Sequence, residues 1–237
     1  MRQGIFKITS NEKIARDIFK MTLSGDTSAI TAPGQFVNIK LDGLFLRRPI
    51  SVCDCVGDNL TLIYKAVGRG TEQMSRMKNG DELDLLTGLG NGYNTRTSGD
   101  TPLLIGGGVG VPPMYMLCKK LVAEGKKVTV VLGFNSKDDV FCEDEFKALG
   151  ADVHISTADG TYGTKGFVTD VIKNLQYTFF YTCGPEPMFR AMHKMMKTPG
   201  QYSFEERMGC SCKTLTGNKR ICKEGPVMES EEIIWAD

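Results

Sequence analysis

Nowhere do the 237 residues contain a stretch approaching the ~18 consecutive apolar residues of a membrane-crossing helix. Neither sign of charge dominates: 29 Lys and Arg stand against 28 Asp and Glu. Without a long basic block the chain lacks the electrostatic footprint of a nucleic-acid or anionic-membrane binder, and neither is expected as a partner. Residues 1–17 mix Arg, Lys, Glu and Asp with short apolar pieces and do not read as an export signal, which points to a soluble cytoplasmic protein. Eight cysteines in that compartment are expected to be reduced thiols or metal ligands, not a disulfide framework. Only two histidines occur, His154 in an apolar stretch and His193 among methionines, and neither is a strong acid–base candidate. What is present is apolar material, 41% of residues, sufficient for a substantial core in a length typical of two modest domains.

From Gly4 to about Gly92 the pattern is short and alternating. Ile5-Phe6-Lys7-Ile8, Ile18-Phe19-Lys20-Met21-Thr22-Leu23, Phe36-Val37-Asn38-Ile39 and Leu60-Thr61-Leu62-Ile63-Tyr64 are separated by Pro33-Gly34, Gly57-Asp58-Asn59 and Asn79-Gly80-Asp81. This predicts a small antiparallel barrel with one short helix at residues 71–77. The polar, turn-rich Thr97-Ser98-Gly99-Asp100-Thr101-Pro102 marks a boundary between residues 1–98 and 99–200. Beyond it, Leu103-Leu104-Ile105, Val128-Thr129-Val130-Val131-Leu132, Val153-His154-Ile155 and Phe179-Phe180-Tyr181-Thr182 are continuous apolar strands alternating with helical segments at residues 114–123 and 144–149. Such alternation predicts a parallel, doubly wound sheet. Met188, Met192, Met195 and Met196 recur at helical spacing and read as core before docking surface. Residues 201–237 have too little apolar periodicity to fold alone and are expected to wrap around a metal or a partner.

Three segments carry chemistry. In Arg48-Pro49-Ile50-Ser51 a fixed guanidinium suits a pyrophosphate oxygen, and the Ser51 hydroxyl suits a ring edge. Alone, the tetrapeptide reads better as a surface Arg before a turn Pro. The balance changes with Ile63-Tyr64-Lys65, an aromatic edge and a cation, and with Gly68-Arg69-Gly70-Thr71, which opens a helix whose free N–H groups favour phosphate. A bound dinucleotide then becomes the better reading. Gly106-Gly107-Gly108-Val109-Gly110-Val111-Pro112-Pro113 leaves a strand and enters a helix at its prolines. Bare backbone at Gly107, Gly108 and Gly110 can approach a second pyrophosphate at the carboxyl end of a parallel strand, although the G-x-G-x-x-G fingerprint is absent and a tight structural turn is the alternative. Cys183-Gly184-Pro185 follows another such strand. There a small thiol can sit beside a nicotinamide without blocking hydride transfer, while an inert buried Cys is the commoner fate. After Val128 to Leu132, Asp138 and Asp139 disfavour a 2′-phosphate and favour NAD over NADP, with Lys137 pulling the other way.

These ordered motifs resemble the ferredoxin-NADP reductase superfamily. Phe45-Leu46-Arg47-Arg48-Pro49-Ile50-Ser51, Gly88-Leu89-Gly90-Asn91-Gly92, the glycine turn and Phe204-Glu205-Glu206-Arg207-Met208-Gly209 are similar, within it, to the electron-transfer subunits of dihydroorotate dehydrogenase B, over nearly the whole chain. The resemblance implies FAD on Arg48, Pro49, Ile50, Ser51, Ile63, Tyr64, Lys65, Gly70 and Thr71, and NAD on Gly107, Gly108, Gly110, Cys183 and Gly184. It also implies a [2Fe–2S] cluster in a C-terminal iron–sulfur segment, residues 201–237. The implied partner is an FMN-containing catalytic subunit that oxidises dihydroorotate, in a heterotetramer of two plus two.

Here the sequence departs from the family. A plant-type cluster needs four thiolates, in C-x4-C-x2-C and a distant Cys, and the segment offers Cys210, Cys212 and Cys222. Aligning Cys210 with the third ligand and Cys222 with the fourth leaves Cys212 as a neighbour; Cys210 as first ligand is the competing register. A truncated iron–sulfur loop ranks ahead of three inert thiols, and both rank ahead of a zinc site, which C-x-C spacing fits poorly. Two other functions remain open: a stand-alone NAD(P)H:acceptor reductase working on ferredoxin or a quinone, and a cofactor-depleted docking subunit.

Overall fold

A computed structural model of the chain describes residues 1–204, 211–215, 217–220 and 224–235. Six strands close an antiparallel barrel: β1 (Arg2–Ala15), β2 (Ile18–Ser24), β3 (Phe36–Lys40), β4 (Arg48–Val56), β5 (Asn59–Lys65) and β6 (Glu82–Leu89), in the order β1-β2-β5-β4-β3-β6. Period-two alternation drives it: along β6, Leu83, Leu85, Thr87 and Leu89 point inward while their neighbours are partly or fully exposed. Leu83 and Leu85 meet Phe6, Ile8, Met21, Leu23, Val37 and Ile39 in one core.

Helix α1 (Arg69–Ser75) lies between β5 and β6. It starts and ends two residues before the span expected from sequence, because Gly68 takes an extended conformation (φ −176°, ψ 172°) that lets the first turn form there. Asn11 ties this helix to the barrel, its amide nitrogen donating to the carbonyls of Met74 and Met77, both at 2.9 Å, while its oxygen accepts from the Tyr64 hydroxyl at 3.0 Å.

The second unit is a seven-stranded sheet. In chain order run β7 (Pro102–Gly107), α2 (Pro112–Ala123), β8 (Thr129–Phe134), α3 (Glu143–Ala148), β9 (Asp152–Thr157), β10 (Thr164–Lys165), α4 (Val168–Ile172), β11 (Phe179–Cys183), α5 (Glu186–His193) and β12 (Gly200–Ser203). After them come a hairpin, β13 (Ser211–Thr214) and β14 (Gly217–Arg220), and a last strand, β15 (Val227–Glu229). The sheet order is β10-β9-β8-β7-β11-β12-β15, parallel except for β15, which runs antiparallel to β12. Every residue of β7 is buried, so the strand is covered on both faces, as its Leu103-Leu104-Ile105 run predicts. Part of the C-terminal segment joins this sheet: residues 227–229 add a strand beside β12. Met192 is buried, with Met188, Met195 and Met196 packed around the same cluster, so the methionine stripe is core.

The two units share a core. Ile18, Cys53 and Ile63 of the barrel pack with Met114, Leu117, Cys118 and Leu121 of α2. Ion pairs ring the contact: Lys119 with Asp54 at 3.0 Å, Arg16 with Asp138 at 2.7 Å and Lys20 with Glu145 at 3.8 Å. The connecting segment is tied down by Tyr93, whose hydroxyl donates to Thr182 O at 3.2 Å and whose ring meets Tyr181 edge-on. Among the described residues no helix is long and apolar enough to cross a membrane.

One carboxylate in this sheet is held against its preference. Burial pushes the Glu229 carboxyl above its ordinary range, although Gln201 Nε2 donates to it. A raised folded-state pKa means a cost that is absent in acid and grows as pH rises through that value. Glu229→Gln, which keeps the acceptor and removes the charge, is therefore expected to raise the thermal midpoint by a few degrees at neutral pH, with the gain shrinking toward acid. Thermal melts of both proteins across pH check this.

Candidate functional site

On the barrel side the site is built at the start of β4. Register places Arg48 opposite Ile39 and Ser51 opposite Phe36, and all four residues from Arg48 to Ser51 are half-buried, where a closed barrel strand would alternate. The Arg48 side chain lies across Gly70 in the first turn of α1. A Cβ on Gly70 would overlap Arg48 Nε and come within 3.0 Å of its Cδ and Cγ, so the bare glycine makes room for the guanidinium stem. One Arg48 nitrogen, Nη1, donates to Leu46 O. Around it Phe45, Leu46 and Val67 expose large apolar surface, Phe45 completely. A cation with an apolar rim fits a nucleotide's phosphates and rings.

Not every residue expected here faces the groove. The Tyr64 ring is 2% exposed, stacked on Phe19 inside the barrel with its hydroxyl held by Asn11, so the aromatic edge expected from sequence is core. Burial and the closed hydrogen bond leave it to support α1, and its phenol is pushed up to about 12 by desolvation. Ile63 belongs to the contact with α2, and of the three only Lys65 keeps a half-exposed side chain. The Thr71 hydroxyl is likewise engaged: it accepts from Val67 N at 3.0 Å and donates to Gly68 O at 3.2 Å, fixing the turn that begins α1.

The second half lies at the carboxyl edge of the parallel sheet, where open α/β folds take ligands. β7 ends in Gly107 and β11 ends in Cys183, with Cys183 opposite Gly106. The glycines here do different jobs. A Cβ on Gly110 would overlap the carbonyl of Cys183 and approach Gly184 N to 2.6 Å, so backbone packs directly on backbone between the two turns. Gly107 meets Met188 Sδ, where a Cβ would come to 2.7 Å, and Gly184 meets the Met188 methyl. Only Gly108 of the turn, at φ +52°, has open space before it. Cys183 is half-buried at the rim between these turns.

Other expectations find different places. Asp138 is taken by Arg16, and Asp139 accepts from Ser136 N at 3.1 Å and Ser136 Oγ at 2.9 Å, closing a capping box. Both carboxylates are thus employed in the fold, which weakens their use against a 2′-phosphate. His154 pairs with Asp152, and His193 stacks on Trp235 at 4.9 Å. Cys53, Cys118 and Cys142 are buried free thiols, and desolvation pushes Cys118 and Cys142 up to about 12. Cys53 and Cys142 face a cleft of about 100 Å³ between the units, far below the roughly 300–1,000 Å³ of a ligand pocket. Cys210 and Cys222 lie outside the described residues, and Cys212 is placed by backbone alone, opposite Lys219. Among the described residues no group of three metal-ligating side chains comes together. Sequence reading missed the Arg48–Gly70 contact and the Gly110–Cys183 contact. Each joins residues distant in the chain, and the runs of glycine were their only trace.

Residues 104–194 match the model of the oxidoreductase NAD-binding domain. The dihydroorotate dehydrogenase B (NAD+) electron transfer subunit of Fusobacterium nucleatum is 44% identical over 250 aligned positions, covering 95% of this chain and 96% of that one. The protein of the same name from Bacillus pumilus is 43% identical over 255 positions, covering 98% of both. Both alignments run over more positions than the 237 residues here, so these relatives carry residues without a counterpart in this chain. A solved NADH-dependent reduced ferredoxin-NADP oxidoreductase, described for flavin-based electron bifurcation, superposes with a TM-score of 0.88 at 29% identity, covering 98% of this chain and 90% of that one. A ferredoxin NADP+ reductase from Neisseria gonorrhoeae, solved with FAD and NADP, shares the fold, with a TM-score of 0.71 at 17% identity over 82% of this chain and 92% of that one.

The packing of the two turns generates a contrast. Gly110→Ala must push the turns apart and is expected to destabilise the nucleotide-free fold by about 1–3 kcal/mol, the usual cost of overpacking. Gly108→Ala meets no protein atom and carries only the backbone strain of a positive φ, so its loss of stability should be the smaller. Thermal melts of both variants without nucleotide check the order.

Proposed function

The chain belongs to the family of electron-transfer subunits of NAD+-linked dihydroorotate dehydrogenase B, and from that premise we propose how its residues serve the transfer. It is an oxidoreductase subunit of the ferredoxin-reductase type, with FAD and NAD as its cofactors. FAD is assigned to residues 48–51 with the backbone of 63–65 and the Gly70-Thr71 turn, and NAD to Gly107, Gly108, Gly110, Cys183 and Gly184. The observation that carries this is the joint: α2 starts from the glycine turn and packs on β4, which starts at Arg48. The two assigned sites therefore adjoin one packed contact.

Together the flavin and nicotinamide supply two-electron hydride exchange when bound. The residues of this chain bind and orient. Arg48, given room by Gly70, holds phosphate charge; Ser51 offers a hydroxyl at the ring edge; Gly108 leaves backbone bare for the second nucleotide; Cys183 keeps a small group at the rim. No side-chain acid or base is needed for hydride exchange. The barrel is assigned to residues 1–98 and the NAD-binding unit to residues 99–200.

The partner proposed is the catalytic subunit of the same enzyme, carrying FMN and oxidising dihydroorotate in pyrimidine biosynthesis, two copies of each chain assembling in the cytoplasm. The name shared by the relatives supports a partner subunit. A complete [2Fe–2S] cluster does not fit the donors present, since Cys210, Cys212 and Cys222 supply three thiolates for four positions. No step is routed through it. That shortfall supports a second use of the flavin half, as an NAD(P)H:acceptor reductase that needs no partner.

Purified protein should be yellow, and Arg48→Ala should lose about 1.5–3 kcal/mol of FAD affinity, roughly ten- to a hundredfold. Colourless wild-type protein that releases no flavin on denaturation would contradict the assignment and leave the docking-subunit reading. NADH oxidation by an artificial acceptor should survive in this chain, while dihydroorotate-dependent NAD+ reduction by the complex is lost or much weakened. Full dihydroorotate-linked activity from a complex whose chain has the mass of these 237 residues would overturn the three-thiolate argument.

A further inference from the structure

The loop that bears Cys210, Cys212 and Cys222 begins and ends at one place. Ser203 of β12 is opposite Val227 of β15, and Phe204 N donates to Pro226 O at 3.1 Å, so residues 204 and 226 form a neck. Asn91, at the exit of the barrel, grips that neck. Its backbone N–H donates to Gly225 O at 2.8 Å, its side-chain Nδ2 donates to Val227 O at 2.8 Å, and its Oδ1 accepts from Val227 N at 3.2 Å. An amide side chain here reproduces the reciprocal pair that two residues of neighbouring antiparallel strands exchange.

Gly90 permits the approach. A Cβ there would come to 2.7 Å from Pro226 Cδ and 3.2 Å from both Gly225 O and Phe36 Cδ1. Phe36 in turn is the register partner of Ser51 on one side and Leu89 on the other. The neck thus sits one strand away from the start of β4. The far part of the loop has its own tethers: Leu215 N donates to Glu232 O at 2.9 Å, and Lys219 Nζ reaches the Glu232 carboxylate at 2.7 Å. None of these contacts uses a cysteine. Cys222 precedes Gly225 by three residues, and three residues reach at most about 11 Å.

We infer that Asn91 is a positioning residue: it seats the neck of the cysteine loop beside the strand partner of Ser51, and it does so whether or not a metal is bound. That the seat adjoins a flavin rests on the function proposed above; the seat itself does not. Burial of the loop ends by metal ligation alone would make the neck loosen on metal removal, and the hydrogen bonds of Asn91 say it should not.

Hydrogen exchange on the full FAD-loaded chain tests this, with wild type, Asn91→Ala and Asn91→Asp each chelated and each reconstituted with iron and sulfide. Wild-type protection at Val227 should be the same in both states. Asn91→Ala, losing two side-chain hydrogen bonds, should exchange there roughly tenfold faster or more. Asn91→Asp, which still accepts from Val227 N–H, should fall between. Bleaching of the flavin by NADH should keep its rate in all three. Unchanged exchange in Asn91→Ala, protection that appears only with iron, or slowed bleaching in step with the exchange would each overturn the inference. Wild-type protein without flavin would contradict the proposed function instead, and the exchange comparison would still decide the seat.

Discussion

Helix α2 leaves the glycine turn at Pro112 and lies along β4, the strand that begins with Arg48, and both proposed nucleotide sites take their relative position from that contact. Apolar burial dominates it. Ile18 and Ile63 are each at least 96% removed from solvent against Met114 and Leu117, and a large aliphatic side chain buried in this way contributes about 1.5–3 kcal/mol. The Lys119–Asp54 pair beside them leaves Lys119 42% exposed, and such pairs are worth about 1 kcal/mol or less. The joint is therefore set by side-chain shape, with charge as trimming. On the proposed assignment, nucleotides at Arg48 and at Gly108 take their separation from this packing.

Glycine serves this joint in two opposite ways. Gly108 leaves backbone open, as a ligand site requires, whereas Gly110, Gly70 and Gly90 are bare because something else fills the space: the Cys183 carbonyl, the Arg48 stem and Pro226. In each case a missing side chain lets two elements distant in sequence touch. The fold is thus assembled at points where the sequence shows only a glycine.

That explains what could and could not be read in advance. The barrel and the parallel sheet were legible because alternation in β6 and the apolar runs of β7, β8 and β11 are local patterns that depend on one buried face or two. Arg48 to Ser51 and residues 106–110 stood out as motifs. Tyr64 misled, since an aromatic residue beside a cation looks the same in sequence whether its ring faces a ligand or a core. The engagement of Asp138 and Asp139 with Arg16 was hidden for a similar reason: that partner lies more than a hundred residues away. The last sheet strand, β15, is three residues long, too short for any period to show. Its place depends on pairing with β12 and on Asn91, both set by tertiary contact. The shortage of a fourth thiolate, by contrast, was plain from counting.

The central claim is that the α2–β4 contact holds nicotinamide and flavin close enough for direct hydride exchange without help from a metal or a partner. Anaerobic rapid mixing of the isolated, FAD-loaded chain with NADH, and with NADH deuterated at the transferred position, measures it most directly. The account predicts bleaching of the flavin on the timescale of turnover, slowed by deuterium. Flavin that stays oxidised while NADH is shown to be bound would contradict it.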